Sequence, residues 1–286
     1  MNKTFRALML GMAFAVLPCL SHAQAPSAPA PTSMIDLVKQ RGVLIAGVKT
    51  DTPPFGFIDE NGKNAGFEID LITDLAKRLG VKVQFVPAPA ATRIQLLEQG
   101  RVDLLIATVS HYRSRNKVVD FSIGYLYTPQ TLMVRKSSSI RSLADLAGKR
   151  VGAAAGTDAI YRLPAIEPKT TVQSFPGWPD AFFALSRGLV DAIATDTSIL
   201  QGLRMAAPDP DDYVVLGNEG SYGGDYYAIA MRQNDSKSLN EINFLLQDQW
   251  LDGTWQRIFD KWLGKNSKLK LTTHDFGDFK MRIWSK

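Results

Sequence analysis

Several apolar runs in this 286-residue chain end in residues that could do chemistry. Residues 190–194 (VDAIA) run into Thr195, Asp196 and Thr197. A lone aspartate at the end of a buried strand is costly unless it meets a cation, although Asp196 could instead cap a helix starting at Thr197. Residues 102–107 (VDLLIA) end in Thr108 and Ser110, which offer hydroxyls and a carbonyl or serve as plain turn residues. Arg115 follows. Its planar fork fits a carboxylate, yet with Arg113 and Lys117 it also reads as one member of a solvated charge run. Gly156 and Thr157 lie where a helix begins, so the Thr157 hydroxyl and the first helical amides could hold an anion or simply cap the helix. Asp158 beside them is an acid at a helix start, where negative charge is comfortable. Lys49 follows the apolar run 43–48 (VLIAGV) and could pair with Asp51. Arg93 lies in a helix at 91–99, on its wet face or toward a ligand.

Other chemistries are excluded by residue types. The three histidines are His22, His111 and His274, and no Ser-His-Asp triad or His-rich metal site is evident. The single cysteine, Cys19, lies in an N-terminal segment that reads as a secretory signal: Lys3 and Arg6, then an apolar stretch at 7–20, then Ser21-His22-Ala23 with cleavage after Ala23. That stretch is short for a membrane span, which takes about 20 apolar residues, and Pro18 before Cys19 argues against a lipoprotein signal. Removing the segment leaves no thiol, hence no disulfide or thiolate metal site. It also takes Lys3 and Arg6, moving the formal charge from +5 to +3, too mild a balance, and too scattered, for nucleic acid. Residues 24–33 (QAPSAPAPTS) read as a disordered spacer.

The elements that must position these residues alternate. Strands are predicted at 43–48, 81–85 and 102–107, with helices at 66–79 and 91–99 between them, the pattern of parallel βαβ units. Residues 49–57, with Pro53, Pro54 and Gly56, are predicted as a loop at the carboxyl end of a buried strand, the edge where ligands bind in open α/β sheets. In the 66–79 helix, Leu71, Ile72, Leu75, Ala76 and Leu79 form one apolar face, and Glu68 and Asp70 read as helix-start residues. An extended segment at 125–134 follows. The pattern then restarts with a helix from Ser142, strands at 151–155, 171–175 and 190–194, and helices from 157, 180–186 and 197–205. Strands at 214–216 and 226–231 and two terminal helices, from Ser236 and Thr254, complete it. Two α/β units joined by extended segments predict two lobes with a cleft between them.

In order and spacing, these blocks resemble family 3 of the bacterial solute-binding proteins, the polar amino-acid branch of the type II periplasmic binding fold. The resemblance spans residues 41–264 and rests on GVK at 47–49 with PPFGF at 53–57, GFEIDL at 66–71, ATVS at 107–110 with Arg115 and VDFS at 119–122, LADLAGK at 143–149 with Gly156-Thr157, and VDA at 190–192 with Asp196. It implies an α/β Venus-flytrap with crossings near 125–129 and 224–227. Lobe 1 would comprise 34–126 and 226–286, and lobe 2 would comprise 127–225. It further implies a monomeric periplasmic component of an ABC importer that hands a polar amino acid to the permease, with no cofactor. A zwitterionic ligand needs a cation for its carboxylate and a carboxylate for its ammonium. By the resemblance, Arg115 and Thr157 meet the α-carboxylate, Asp196 meets the ammonium, and Thr108 and Ser110 add a carbonyl and hydroxyls.

Lys49 and Arg93 fall where the family places side-chain contacts, and two cations in a dry cleft favour a second carboxylate, as in glutamate or aspartate. Asp158 departs from the family's Thr, Ser or Gly and would repel a bound carboxylate unless it points away, pairs with Lys49 or Arg93, or serves another ligand. Residues 87–90 (PAPA) lack the aromatic that many members stack on the ligand. The alternative on the same fold is a periplasmic cyclohexadienyl or arogenate dehydratase, which needs an acid with a tuned pKa. A receptor sensor domain would need a downstream membrane span. The tail at 274–286, with Phe276, Phe279 and Trp284, would either pack on a lobe or meet a partner.

Overall fold

The computed structural model describes residues 33–284. The expected signal peptide, its Cys19 and almost all of the expected spacer lie outside the described residues. Ser33 does not belong to a spacer: it is buried and caps the first helix, its hydroxyl accepting Asp36 N–H at 3.3 Å.

In chain order the elements are α1 (Met34–Arg41), β1 (Val43–Val48), β2 (Asp51–Thr52), β3 (Gly56–Ile58), β4 (Asn64–Ala65), α2 (Phe67–Arg78), β5 (Lys82–Pro87), α3 (Arg93–Glu98), β6 (Leu104–Ile106), β7 (Val119–Arg135), β8 (Arg150–Ala154), α4 (Ala159–Ile166), β9 (Thr171–Phe175), α5 (Trp178–Ser186), β10 (Ala192–Asp196), α6 (Thr197–Ala206), β11 (Tyr213–Val215), β12 (Gly223–Arg232), α7 (Ser236–Leu251) and α8 (Thr254–Trp262). The strands form one large sheet in the order β5-β1-β6-β12-β7-β10-β8-β9, with β11 paired to β7. Each end of this sheet is parallel, as the apolar runs predict for strands covered on both faces. The middle is antiparallel. There β7, 17 residues long, pairs with β12 from Gly223↔Gln130 to Arg232↔Val119. These two strands are the crossings. Tyr226 sits opposite Tyr127 and Gly224 opposite Pro129, inside the predicted spans, and the register shifts on either side of Ala228.

The 66–79 stretch is scaffold. Gly66 has φ +132°, and a Cβ there would lie 2.2 Å from the Phe55 carbonyl oxygen, so glycine alone lets the chain enter α2. The buried face of α2 joins Phe55, Tyr125, Tyr227, Trp255 and Phe259 in one core cluster. Phe67 meets Phe55 and Trp255 edge-on at 6.2 and 6.1 Å, and Trp255 donates its indole N–H to the Tyr125 carbonyl at 2.8 Å. The tail packs inward: Phe276, Phe279 and Met281 are buried, with Phe279 against Tyr226, Trp250 and Trp255.

Local expectations shift in three places. Residues 49–57 are not wholly loop, because β2, β3 and β4 form a small antiparallel sheet around the Pro53-Pro54 turn. The helix from Ser142 is a 3-10 turn over Leu143–Leu146, although the expected capping box with Asp145 is present. Asp235, not Ser236, caps α7 by accepting Ser238 N–H at 3.0 Å.

Backbone from the two ends of the sheet meets at close range. A Cβ on Gly202 in α6 would stand 2.4 Å from the Pro53 carbonyl oxygen, and one on Gly156 would stand 2.6 Å from that of Ala90. Both approaches need a residue with no side chain.

Candidate functional site

A small cavity, with about 20 Å³ of free space, lies at the carboxyl ends of β6, β8 and β10, the edge where parallel strands of both halves converge. Its wall contains Arg93, Thr108, Ser110, Arg115, Thr157, Asp158 and Asp196, which is seven of the eight site residues expected from the sequence. Tyr112, Trp178, Thr195 and Ile199 also line it.

Lys49 does not line it. Its ammonium is buried and pairs with Asp51 at 2.8 Å, so the internal ion pair is the reading that holds. Burial pushes its pKa down, against the opposing pull of Asp51. The expected two-cation side-chain pocket is thereby reduced to Arg93.

Arg93, the first residue of α3, is buried and donates Nη1 to the carbonyls of Ala107 and Thr108, the latter at 3.1 Å. It is therefore not a wet-face residue. Its Nε has no partner, and burial with Arg115 nearby pushes the guanidinium down to about 10. It remains charged at neutral pH. Arg115 is held by the Ser110 carbonyl at 2.8 Å, reaches the Gly156 carbonyl at 3.3 Å from the opposite side, and lies 4.5 Å above the Tyr112 ring. The stacking contributes about 0.5–1 kcal/mol and fixes the plane of the fork.

Asp196 is the last residue of β10 and stands at the cap position of α6, yet its side chain makes no capping bond. Oδ2 accepts the Tyr227 hydroxyl at 2.6 Å and Thr195 Oγ1 at 3.3 Å, and Oδ1 has no partner. Burial, helped by Asp158 and Asp225, pushes its carboxyl up to about 7 against the Tyr227 bond. A buried carboxylate that lines a cavity and has no cation bonded to it is the arrangement that an ammonium would complete.

Asp158 pairs with neither Lys49 nor Arg93. It accepts Arg162 Nη1 at 2.7 Å and Gln130 Nε2 at 3.2 Å, while Arg162 also reaches Gln130 Oε1 at 2.8 Å and Asp225 at 3.0 Å. The acid that departs from the family pattern is thus neutralised within its own network. Thr157 precedes the cap position of α4 and turns its hydroxyl to the Ala154 carbonyl at 2.6 Å.

Thr108 has φ +50°, a left-handed conformation that costs a β-branched residue about 1–2 kcal/mol. Its N–H donates to Glu68 at 2.7 Å. Glu68 is the helix-start residue the sequence suggested, in the first turn of α2, but its side chain turns inward. It is wholly buried, and burial pushes its carboxyl up to about 7 even though Tyr125 and Thr108 donate to it. Gln130, Arg162, Asp225 and Tyr227 escaped notice, and the burial of Glu68 with them, because nothing local marks a polar residue on an apolar strand or a helix's first turn as facing inward. Only the signature block around Glu68 hinted at a role.

Residues 44–265 match the profile of the bacterial extracellular solute-binding proteins, family 3. The ABC transporter glutamine-binding protein GlnH of Bacillus subtilis (strain 168) is 33% identical, the alignment covering 79% of this chain and 83% of that protein. The L-cystine-binding protein TcyJ of Escherichia coli (strain K12) is 30% identical over 81% of this chain and 86% of its own length. Among solved structures, the ancestral amino acid-binding protein AncCDT-1, a precursor of cyclohexadienyl dehydratase, superposes with a TM-score of 0.75 at 32% identity, covering 81% of this chain and all of that one.

Proposed function

The chain belongs to family 3 of the bacterial extracellular solute-binding proteins, and we propose that it captures a free polar α-amino acid in this cavity and hands it to an ABC permease from the periplasm. The two gripping lobes are residues 34–126 with 226–286, and residues 127–225. Arg115 takes the α-carboxylate, with Thr157 and the first amides of α4 beside it. Asp196 takes the ammonium, helped by Thr108 and Ser110. The observation that carries this reading is the unpartnered Oδ1 of buried Asp196 in the same cavity wall as Arg115.

The wall also bears on the class of amino acid. With Asp158 neutralised by Arg162, the charges left facing the cavity are Arg93, Arg115 and Asp196. Two cations and one anion complement a ligand with two carboxylates and one ammonium, so glutamate and aspartate are favoured. Titration calorimetry with L-glutamate, L-aspartate, L-glutamine and L-arginine tests this. One of the two acids is expected to bind at least about tenfold tighter than glutamine, about 1.4 kcal/mol, and arginine weakest. Tighter binding of arginine or glutamine than of both acids would overturn the acidic assignment while leaving amino-acid capture intact.

The buried Asp196 in the cavity wall, its carboxyl pushed up to about 7, favours one other reading, since a dehydratase needs such an acid. Incubation with prephenate and arogenate separates the two readings. Neither phenylpyruvate nor phenylalanine is expected to appear.

A further inference from the structure

Glu68 lies behind the cavity wall and is not part of it. It sits in the first turn of α2 with its side chain wholly buried. One carboxylate oxygen accepts the Thr108 N–H at 2.7 Å and the Tyr125 hydroxyl, and the other has no partner. Thr108 is held at φ +50°, and its carbonyl in turn accepts Arg93 Nη1 at 3.1 Å. The next polar group along the chain, Ser110, presents its carbonyl to Arg115 at 2.8 Å. A single line of bonds therefore runs from α2, through the turn after β6, to both cavity arginines.

We infer that Glu68 is a positioning residue for the ligand: its buried carboxylate locks Thr108 in the left-handed conformation and so fixes where Arg93 and Ser110 face the cavity. The inference rests on the reading of this cavity as an amino-acid site. A buried acid without a directly bonded cation is an expensive choice for a helix start. An apolar residue in the same space would leave the Thr108 N–H and the Tyr125 hydroxyl without an acceptor. The charged and titratable groups facing Glu68 are Lys49 directly after β1, Arg93 from α3, Tyr125 from β7 and Tyr227 from β12. Both cations favour its ionised form, in which the carboxylate is the stronger acceptor.

Glu68→Gln keeps the volume and one acceptor, and Glu68→Ala removes both. The amide resonance of Thr108 in the ligand-free protein reads the bond without any ligand. It is expected to move upfield in both variants and further in the alanine variant. Affinity for the amino acid that the wild-type protein binds is expected to fall about tenfold in Glu68→Gln and about a hundredfold in Glu68→Ala. The dependence of log Kd on pH near and below 7 is expected to become shallower by about half a proton in Glu68→Gln, a change that a merely structural role would not produce. A Thr108 amide unmoved in Glu68→Ala, or wild-type affinity with an unchanged pH profile in Glu68→Gln, would overturn the inference. A wild-type protein that binds no amino acid would instead sink the site reading, and the Thr108 amide would still decide the role of Glu68.

Discussion

Replacing Asp196 with asparagine is expected to weaken amino-acid binding about a hundredfold at pH 8, a cost of about 3 kcal/mol, while making the ligand-free protein more stable. Both effects come from one buried group. Burial opposes charging and pushes its carboxyl up to about 7, and Oδ1 has no hydrogen-bond partner in the protein. A ligand ammonium supplies the missing cation; asparagine cannot meet it as an anion, although it keeps an acceptor for the Tyr227 hydroxyl. The sign of the stability effect follows from linkage. An acid whose folded pKa is raised from 3.8 to about 7 holds its proton in the folded state when the unfolded chain has lost it. Its contribution to stability is present below the unfolded value and is lost as pH rises through about 7. Ligand-free wild-type protein is therefore expected to melt lower at pH 8 than at pH 5, and Asp196→Asn to recover part of that loss. Affinity runs the other way. Below about pH 7 the proton on Asp196 competes with the ammonium and costs about tenfold in Kd per pH unit, a share that the asparagine variant lacks. Thermal melts and calorimetric titrations at the two pH values check both arms. Equal affinity of variant and wild type at pH 8 would remove Asp196 from the site.

Arg115→Ala is expected to weaken binding by a similar factor of about a hundred, and Arg115→Lys to recover only part of it, because an ammonium is a point charge where a carboxylate wants two parallel donors. The guanidinium is stacked on Tyr112 and donates to carbonyls from both sides of the cavity, Ser110 and Gly156, so a carboxylate arriving between them meets a fork already oriented. Arg115 is only partly buried and carries little of the core. The ligand-free melting temperature is therefore expected to stay within a few degrees of wild type in both variants. Titration of each against the preferred amino acid reads the effect, and full affinity in the lysine variant would show that the fork geometry is not used.

The sequence carried the fold because that information is written in periodicity. The VLIAGV run is β1 residue for residue, and Thr171–Phe175 is β9 as read. The cavity was legible where its residues stand at strand ends, as Thr108, Ser110 and Asp196 do, since the end of a buried strand has one place to face. It was illegible where partners come from elsewhere in the chain. Whether Lys49 meets a ligand or Asp51 depends on side-chain direction in a two-residue strand, and the sequence weighs these equally. Asp158 looked like a conflict with a bound carboxylate because Arg162 and Asp225, 4 and 67 residues away, could not be seen to answer it. Glu68 read only as a helix-start residue because an acid in a first turn is ordinary. Its burial depends on Thr108 arriving from β6 with an N–H to spare.

The most direct test of the central claim, that this cavity takes a free α-amino acid, is a thermal-shift screen of the purified protein against the common amino acids and cystine. A ligand at about a thousandfold excess over its Kd adds about 4 kcal/mol, which for a domain of this size raises the melting temperature by about 8 °C or more. At least one amino acid, glutamate or aspartate foremost, is expected to produce such a shift in the wild-type protein and only about a third of it in Arg115→Ala or Asp196→Asn, whose hundredfold weaker binding leaves the same ligand at about tenfold over Kd. A flat response of the wild-type protein to every amino acid would contradict the account.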